Sequence, residues 1–382
     1  MEGIVLSTVF MVDARAKSSE ESLVRKLERL MDEADLPNLI KPGDHVAVKT
    51  HMGAPLTTRY LRPFYVRTVV DYVKKLKAKP TVIETTGLGL LDPRGTAKKY
   101  LEVALMHGFS KETLGAEILI IDGELGLDCV KVNVNGFKLK EISIPKALLD
   151  FDFILNLTHF KGHEMTVFSG AIKNIGVGCV GKETKYFIHY LNKPSVDVAL
   201  CNGCGECVKV CPVKAINITD GKASLNQDVC YGCKACQALC PVKALKSVRI
   251  TDSSEIQLRV VDAAYGVLKT IGLEKILNLN FLLEVDWKCD CEHQQLGWSD
   301  LPIVPDIGIL ASKDIVAVDK ASIDLVNSAP AIPGSQAYEV GAINPNSDKF
   351  KMLYPKADWM FMLKAAEEIG LGFMKYMLVK VR

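Results

Sequence analysis

The chain has 382 residues, 48% of them apolar, which is enough for a large core. Basic and acidic side chains nearly cancel, at a net +2, which argues against a dedicated nucleic-acid-binding or membrane-surface protein. No run of about eighteen apolar residues appears, so no membrane span is expected. The opening residues lack the basic lead and small-residue cleavage site of a signal peptide, and a cytoplasmic location is expected.

Residues 4–12 are apolar and β-branched and read as a first strand. Ser18 and Glu21 have the spacing of a capping box, ahead of Leu23, Leu27, Leu30, Met31 and Ala34 at helical intervals. Residues 46–48 form a second expected strand, which runs into Lys49, Thr50 and His51. Pro63 opens a helix carrying Val66, Val69, Val70, Val73 and Leu76 on one face. Arg59 and Arg62 precede it, either to grip an anion at its positive end or to stand in solvent. Residues 81–84 and 118–121 read as buried strands, and the alternation around Asn135-Gly136 as a hairpin.

Residues 151–157 form another expected strand, followed by His159, Phe160, Lys161, Gly162 and His163. Ligands of open α/β sheets lie beyond the carboxyl ends of strands, so His51, His159, His163 and Lys161 are candidate catalytic or binding residues. The stretch from Gly176 through Gly178 to Gly181 matches G-x-G-x-x-G and nearly matches a phosphate-binding loop. Both motifs need a strand before them, which residues 168–175 do not suggest, and Glu183 stands where the phosphate loop needs a hydroxyl. A known nucleotide site is therefore not expected. Lys173, Asn174, Gly176 and Gly178 remain candidate cofactor-binding residues, in a loop that Lys182 and Lys185 make locally positive.

Two cysteine ladders follow. Cys201, Cys204, Cys207 and Cys211-Pro212 repeat as Cys230, Cys233, Cys236 and Cys240-Pro241. The spacing C-x2-C-x2-C-x3-C-P is that of four-iron clusters, in which the fourth cysteine of each ladder serves the other cluster. Cys201, Cys204, Cys207 and Cys240 should hold one [4Fe-4S] cluster, and Cys230, Cys233, Cys236 and Cys211 the second. Zinc usually takes separated pairs rather than triplets. Residues 195–248 resemble bacterial two-cluster ferredoxins at every one of these positions.

Beyond the ladders, residues 256–268 read as a helix and 281–285 as a strand. Cys289, Cys291 and His293 then alternate; in extended chain they would share one side and suit a soft metal or a reactive thiol pair. Cys129 and Cys179 are isolated and read as packing groups. Residues 303–310 and 314–326 read as strand then helix, with Asp314 as N-cap and Asp306 weakly placed to join a site. A helix over 357–369 and a strand over 377–381 close the chain.

This alternation predicts an α/β fold, a mostly parallel sheet with helices on both faces, with the body split into residues 1–194 and 249–382 around an inserted α+β module at 195–248. The whole chain resembles the family labelled domain of unknown function 362, in the form that carries a ferredoxin insert. The resemblance rests on residues 49–53, 156–163 and 170–179, both ladders, Cys289-Asp290-Cys291, residues 303–308 and 317–319. It implies an α/β body with two four-iron clusters and supplies no reaction. The expected function is an iron–sulfur oxidoreductase that passes low-potential electrons to a site in the body using Cys289, Cys291, His51, His159, His163 and Lys161. Its partner would be a redox protein or a small anionic substrate. The alternatives are a non-catalytic electron carrier and a metal- or cluster-handling factor. An additional metal at Cys289 and Cys291 is allowed for, and flavin has no dependable short signature here.

Overall fold

Strands buried on both faces need near-continuous apolar runs, and this chain supplies eight segments that pair into one sheet. They are β1 (Ser7–Asp13), β2 (His45–Lys49), β3 (Lys79–Glu84), β4 (Ile118–Ile120), β5 (Phe153–His159), β6 (Ile276–Leu282), β7 (Gly308–Ser312) and β8 (Tyr376–Lys380). The computed structural model describes residues 6–291 and 299–381. The strand order is β8-β1-β7-β6-β5-β2-β3-β4. Pairing from β6 through β5, β2 and β3 to β4 is parallel, as is β1 with β8, whereas β7 runs antiparallel to both β1 and β6. The expected α/β fold, with a mostly parallel sheet between two helical layers, is what forms.

Strand alternation divides the core. Phe153, Leu155 and Leu157 of β5 pack with helices Leu23–Glu33 and Pro63–Lys75, while Ile154 faces helices Ser253–Ile271 and Ile315–Ser328. Local chemistry sets the helix starts. Ser22, rather than Ser18, accepts the Arg25 amide, because Ser19–Glu21 forms a separate 3-10 turn. Asp314 accepts the Val316 and Ala317 amides as expected. Two strands are displaced from their expected positions. β6 begins at Ile276, earlier than 281, because its interior includes the buried polar residues Asn278 and Asn280. β7 begins at Gly308, where a Cβ would collide with the Val12 carbonyl oxygen.

The chain leaves and returns to the body at one neck, where Tyr190 bridges Arg249 and Ser195–Val196 pairs antiparallel with Leu245–Lys246. Between them lie helix Glu206–Val210, the hairpin Ile216–Thr219 with Lys222–Leu225, and helix Ala235–Leu239. The halves repeat each other in backbone conformation: Gly203 and Gly232, Gly205 and Lys234, and Lys214 and Lys243 all adopt positive φ. Among the described residues no helix is long and apolar enough to cross a membrane.

Asp319 fixes the short helix Ala171–Gly176 against the sheet. Its buried carboxylate accepts the Ala171 and Ile172 amides at 2.7 and 3.0 Å and the Asn280 side chain at 2.8 Å. Asp319→Ala strands those donors in the core. It should cost about 2–4 kcal/mol in denaturant unfolding, several-fold more than Asp324→Ala on the same helix.

Candidate functional site

The carboxyl ends of β2, β3 and β5 open on one cavity of about 230 Å³. His51, His159, Lys161, His163, Lys173, Asn174, Gly178, Cys289 and Cys291 all line it. The structure therefore brings the sequence-predicted catalytic residues together with most of the candidate cofactor-binding residues. Gly176 is the exception: it packs against the Val260 carbonyl, with no room for a Cβ.

Several charges at this edge are buried and paired. Lys49 Nζ lies 3.2 Å from Glu84 and donates to Asn174 Oδ1 at 2.8 Å. Asn174 in turn donates to Asn156, and Asn156 to Asn278, so an amide ladder runs back into the sheet. His51 Nδ1 is 2.9 Å from Glu84 and 3.0 Å from the Tyr100 hydroxyl, and Arg94 approaches its Nε2 at 3.4 Å. Burial opposes ionisation of Glu84, yet Lys49, His51 and Lys185 together hold it well below the usual carboxylate range.

Asp290 is the second anionic centre. Lys161 Nζ lies 3.0 Å from it, with His51 Nε2 and His159 Nδ1 each at 3.7 Å. Burial again opposes the charge, and Lys161 and the two histidines outweigh it, so Asp290 stays ionised. His159 Nε2 donates to the Leu283 carbonyl at 2.9 Å, which leaves Nδ1 as the nitrogen that faces the carboxylate.

Cys289 and Cys291 follow the Ile276–Leu282 strand at a turn, not in extended chain, and their sulfurs still converge. A ring nitrogen of His163 and both sulfurs lie within 4.8 Å of one another, a candidate metal site. His293 of the expected trio lies outside the described residues. The Lys173 ammonium donates to Cys291 Sγ at 3.4 Å and Cys289 Sγ at 3.7 Å. Burial works against its charge, and the two sulfurs more than restore it. Burial, then the Cys291 sulfur, pushes the Cys289 thiol far up, while burial and Lys173 push His163 down to about 3.

The ladder cysteines gather in the crossed pattern. Cys201, Cys204, Cys207 and Cys240 line one small pocket, and Cys211, Cys230, Cys233 and Cys236 line another. The amides of Ala215 and Ala244 donate to Cys211 and Cys240 at 3.2 Å each, and that of Ala223 to Cys201 at 3.4 Å. Four thiols around one space, some receiving amide hydrogens, fit a cluster held by thiolate sulfur. The second pocket adjoins the body: Gly232 packs on the Tyr186 ring, the Leu90 amide donates to the Cys233 carbonyl, and Lys234 lines the main cavity.

Other expectations resolve into architecture. Arg59 and Arg62 both pair with Glu284, and Asp306 accepts the Glu284 amide. Lys182 donates to the Gly87 and Gly95 carbonyls, and Lys185 to Thr85 and Thr86. A helix, Ala171–Gly176, precedes Gly178 and Gly181, so neither nucleotide motif has its required strand. Cys129 is half-buried and Cys179 buried, and burial pushes both thiols up to about 12. Sequence reasoning missed Glu84, Arg94, His189 and Asp290, which line the cavity, and Tyr100, which reaches His51. Glu84 closes β3 as Lys49 closes β2, and Asp290 was visible as the spacer between two cysteines.

A family profile described as "Domain of unknown function (DUF362)" matches residues 46–324. None of the curated proteins matches the chain. Among solved structures, the lactate racemase apoprotein from Thermoanaerobacterium thermosaccharolyticum matches at 13% identity and TM-score 0.39, over 85% of this chain and 59% of that one. The chain thus spans less than two thirds of that protein's length.

The Lys49–Glu84 pair sets a testable constraint. Glu84→Gln leaves a fully buried ammonium without its counter-charge and should destabilise the fold by about 3–5 kcal/mol, read as a fall in the unfolding midpoint. Lys49→Met combined with Glu84→Leu should recover a large part of that loss.

Proposed function

This chain belongs to the domain of unknown function 362 family, and on that footing we propose that it is an iron–sulfur oxidoreductase delivering electrons to the cavity at the carboxyl edge of its sheet. Cys201, Cys204, Cys207 and Cys240 would hold one four-iron cluster, and Cys230, Cys233, Cys236 and Cys211 the other. Such clusters supply one-electron transfer at low potential. The observation that carries the reading is the position of Lys234. It directly follows Cys233 and lines the same cavity as Cys289 and Cys291. A cysteine quartet is thereby set next to the chamber where the candidate chemistry lies.

The two quartets have different roles. Cys204 is exposed, which suits exchange with a redox partner, whereas the quartet of Cys233 abuts the body. Within the cavity, Lys161, Lys173, Lys185, Lys234, Arg94 and Arg249 outnumber the acids Glu84, Asp92, Glu164 and Asp290. That balance favours a small anionic substrate. His51, tied to Glu84, and His159, facing Asp290, are placed to hold or move a proton beside it.

Protein prepared without oxygen should contain about eight irons and eight sulfides per chain. Crossing of the ladders makes a sharper forecast. Cys204→Ser with Cys240→Ser removes two ligands of one quartet and should leave about four irons. Cys204→Ser with Cys211→Ser damages both quartets and should leave almost none. Colourless protein after reconstitution with iron and sulfide, silent in paramagnetic resonance when reduced, would overturn the assignment.

A further inference from the structure

We propose that Cys289 and Cys291 form a redox-active dithiol–disulfide couple, which collects two single electrons into a pair at the wall of the cavity. The inference rests on the electron-delivery reading above and gives that cavity its acceptor. Three features favour it over a bound metal.

First, the place of a cation is taken. Lys173 Nζ lies 3.4 Å from one sulfur and 3.7 Å from the other, so a tethered ammonium already supplies the positive charge between them. An ammonium buried this deeply needs an anionic partner, and thiolate character on Cys291, the nearer sulfur, provides it.

Second, His163 has no lone pair to give. The Met165 and Thr166 amides both donate to its Nδ1 at 3.1 Å. Nε2 then carries the single proton of the neutral ring, and a protonated nitrogen is a donor rather than a ligand. The third member of the candidate metal site is thereby disabled, and two thiols alone make a poor cage.

Third, the segment is held in place. The Asp290 carbonyl accepts the Ala54 amide at 2.8 Å, and Arg94 holds the Cys291 carbonyl. The turn through Asp290 and Cys291 brings both sulfurs to one side, within 4.8 Å.

The reduction balances as follows. The sulfur–sulfur bond breaks, each sulfur gains one electron, and Cys289 gains one proton, giving a thiol beside a Cys291 thiolate paired with the Lys173 ammonium. The two electrons arrive singly from a low-potential iron–sulfur donor. The proton comes from solvent, and the Lys173 ammonium keeps its own beside the thiolate.

The test uses the full chain, equilibrated without oxygen in buffers of varied oxidised-to-reduced dithiothreitol ratio, then trapped with iodoacetamide and mapped by mass spectrometry. The peptide carrying both cysteines should pass from no alkyl groups to two in a single step, with the slope of a two-electron couple. Lys173→Met should still form the disulfide. Because the ammonium favours the reduced state, its loss should lower the equilibrium constant for reduction at least tenfold, about 30 mV to the negative side. Two thiols free at every ratio would overturn the proposal. So would stepwise single alkylation, or a stoichiometric metal lost in Cys289→Ala with Cys291→Ala. Iron content and the visible spectrum of the same samples report separately on the cysteine ladders. A disulfide that titrates in protein that stays iron-free after reconstitution with iron and sulfide would sink the delivery reading while leaving the couple intact.

Discussion

The carboxyl edge of the sheet is organised by the need to neutralise charges buried where no water can screen them. Lys49, Glu84, Lys161, Lys173 and Asp290 are all nearly inaccessible to solvent. Each would be costly alone. Together they form a closed set in which Lys49 answers Glu84, Lys161 answers Asp290, and Lys173 answers the sulfurs of Cys289 and Cys291. Loss of one member leaves another uncompensated, so the positions of these groups constrain one another across five separate stretches of chain.

The amide ladder extends this constraint into the sheet. Lys49 donates to Asn174, Asn174 to Asn156 and Asn156 to Asn278, so the bonds run from one strand through a helix to two others. Asp319 holds the helix that carries Lys173 and Asn174. Polar groups at the centre of a parallel sheet add little net stability, but once satisfied they fix geometry, because any displacement leaves a buried group unpaired. The lysine beside the two sulfurs is therefore set by a chain of contacts that begins on the far strands.

The neck at Tyr190 and Arg249 gives the cysteine-rich segment its orientation. Tyr190 stacks on Tyr186, whose ring covers Gly232, and Lys234 lies over the Tyr190 ring. These contacts set Lys234, next to Cys233, at the cavity and leave Cys204 of the other quartet at the surface. A segment attached through one flexible strand would carry the same cysteines without directing either quartet anywhere.

Much of this was legible in the chain because the signals are local. Cysteines at fixed short spacing read as a ligand set before any fold exists, and apolar runs ending in Lys49 or His159 mark strands and the edge where a site opens. Asn278 and Asn280 hid the true start of β6, since a polar residue in a strand reads as its end until a partner across the sheet is known. The pairing of Lys173 with Cys289 and Cys291, across more than a hundred residues, had no local signal at all. Residue types and spacings decided which chemistry the chain can hold. Only the folded sheet, by removing water and enforcing charge balance among distant segments, decided which of those groups meet.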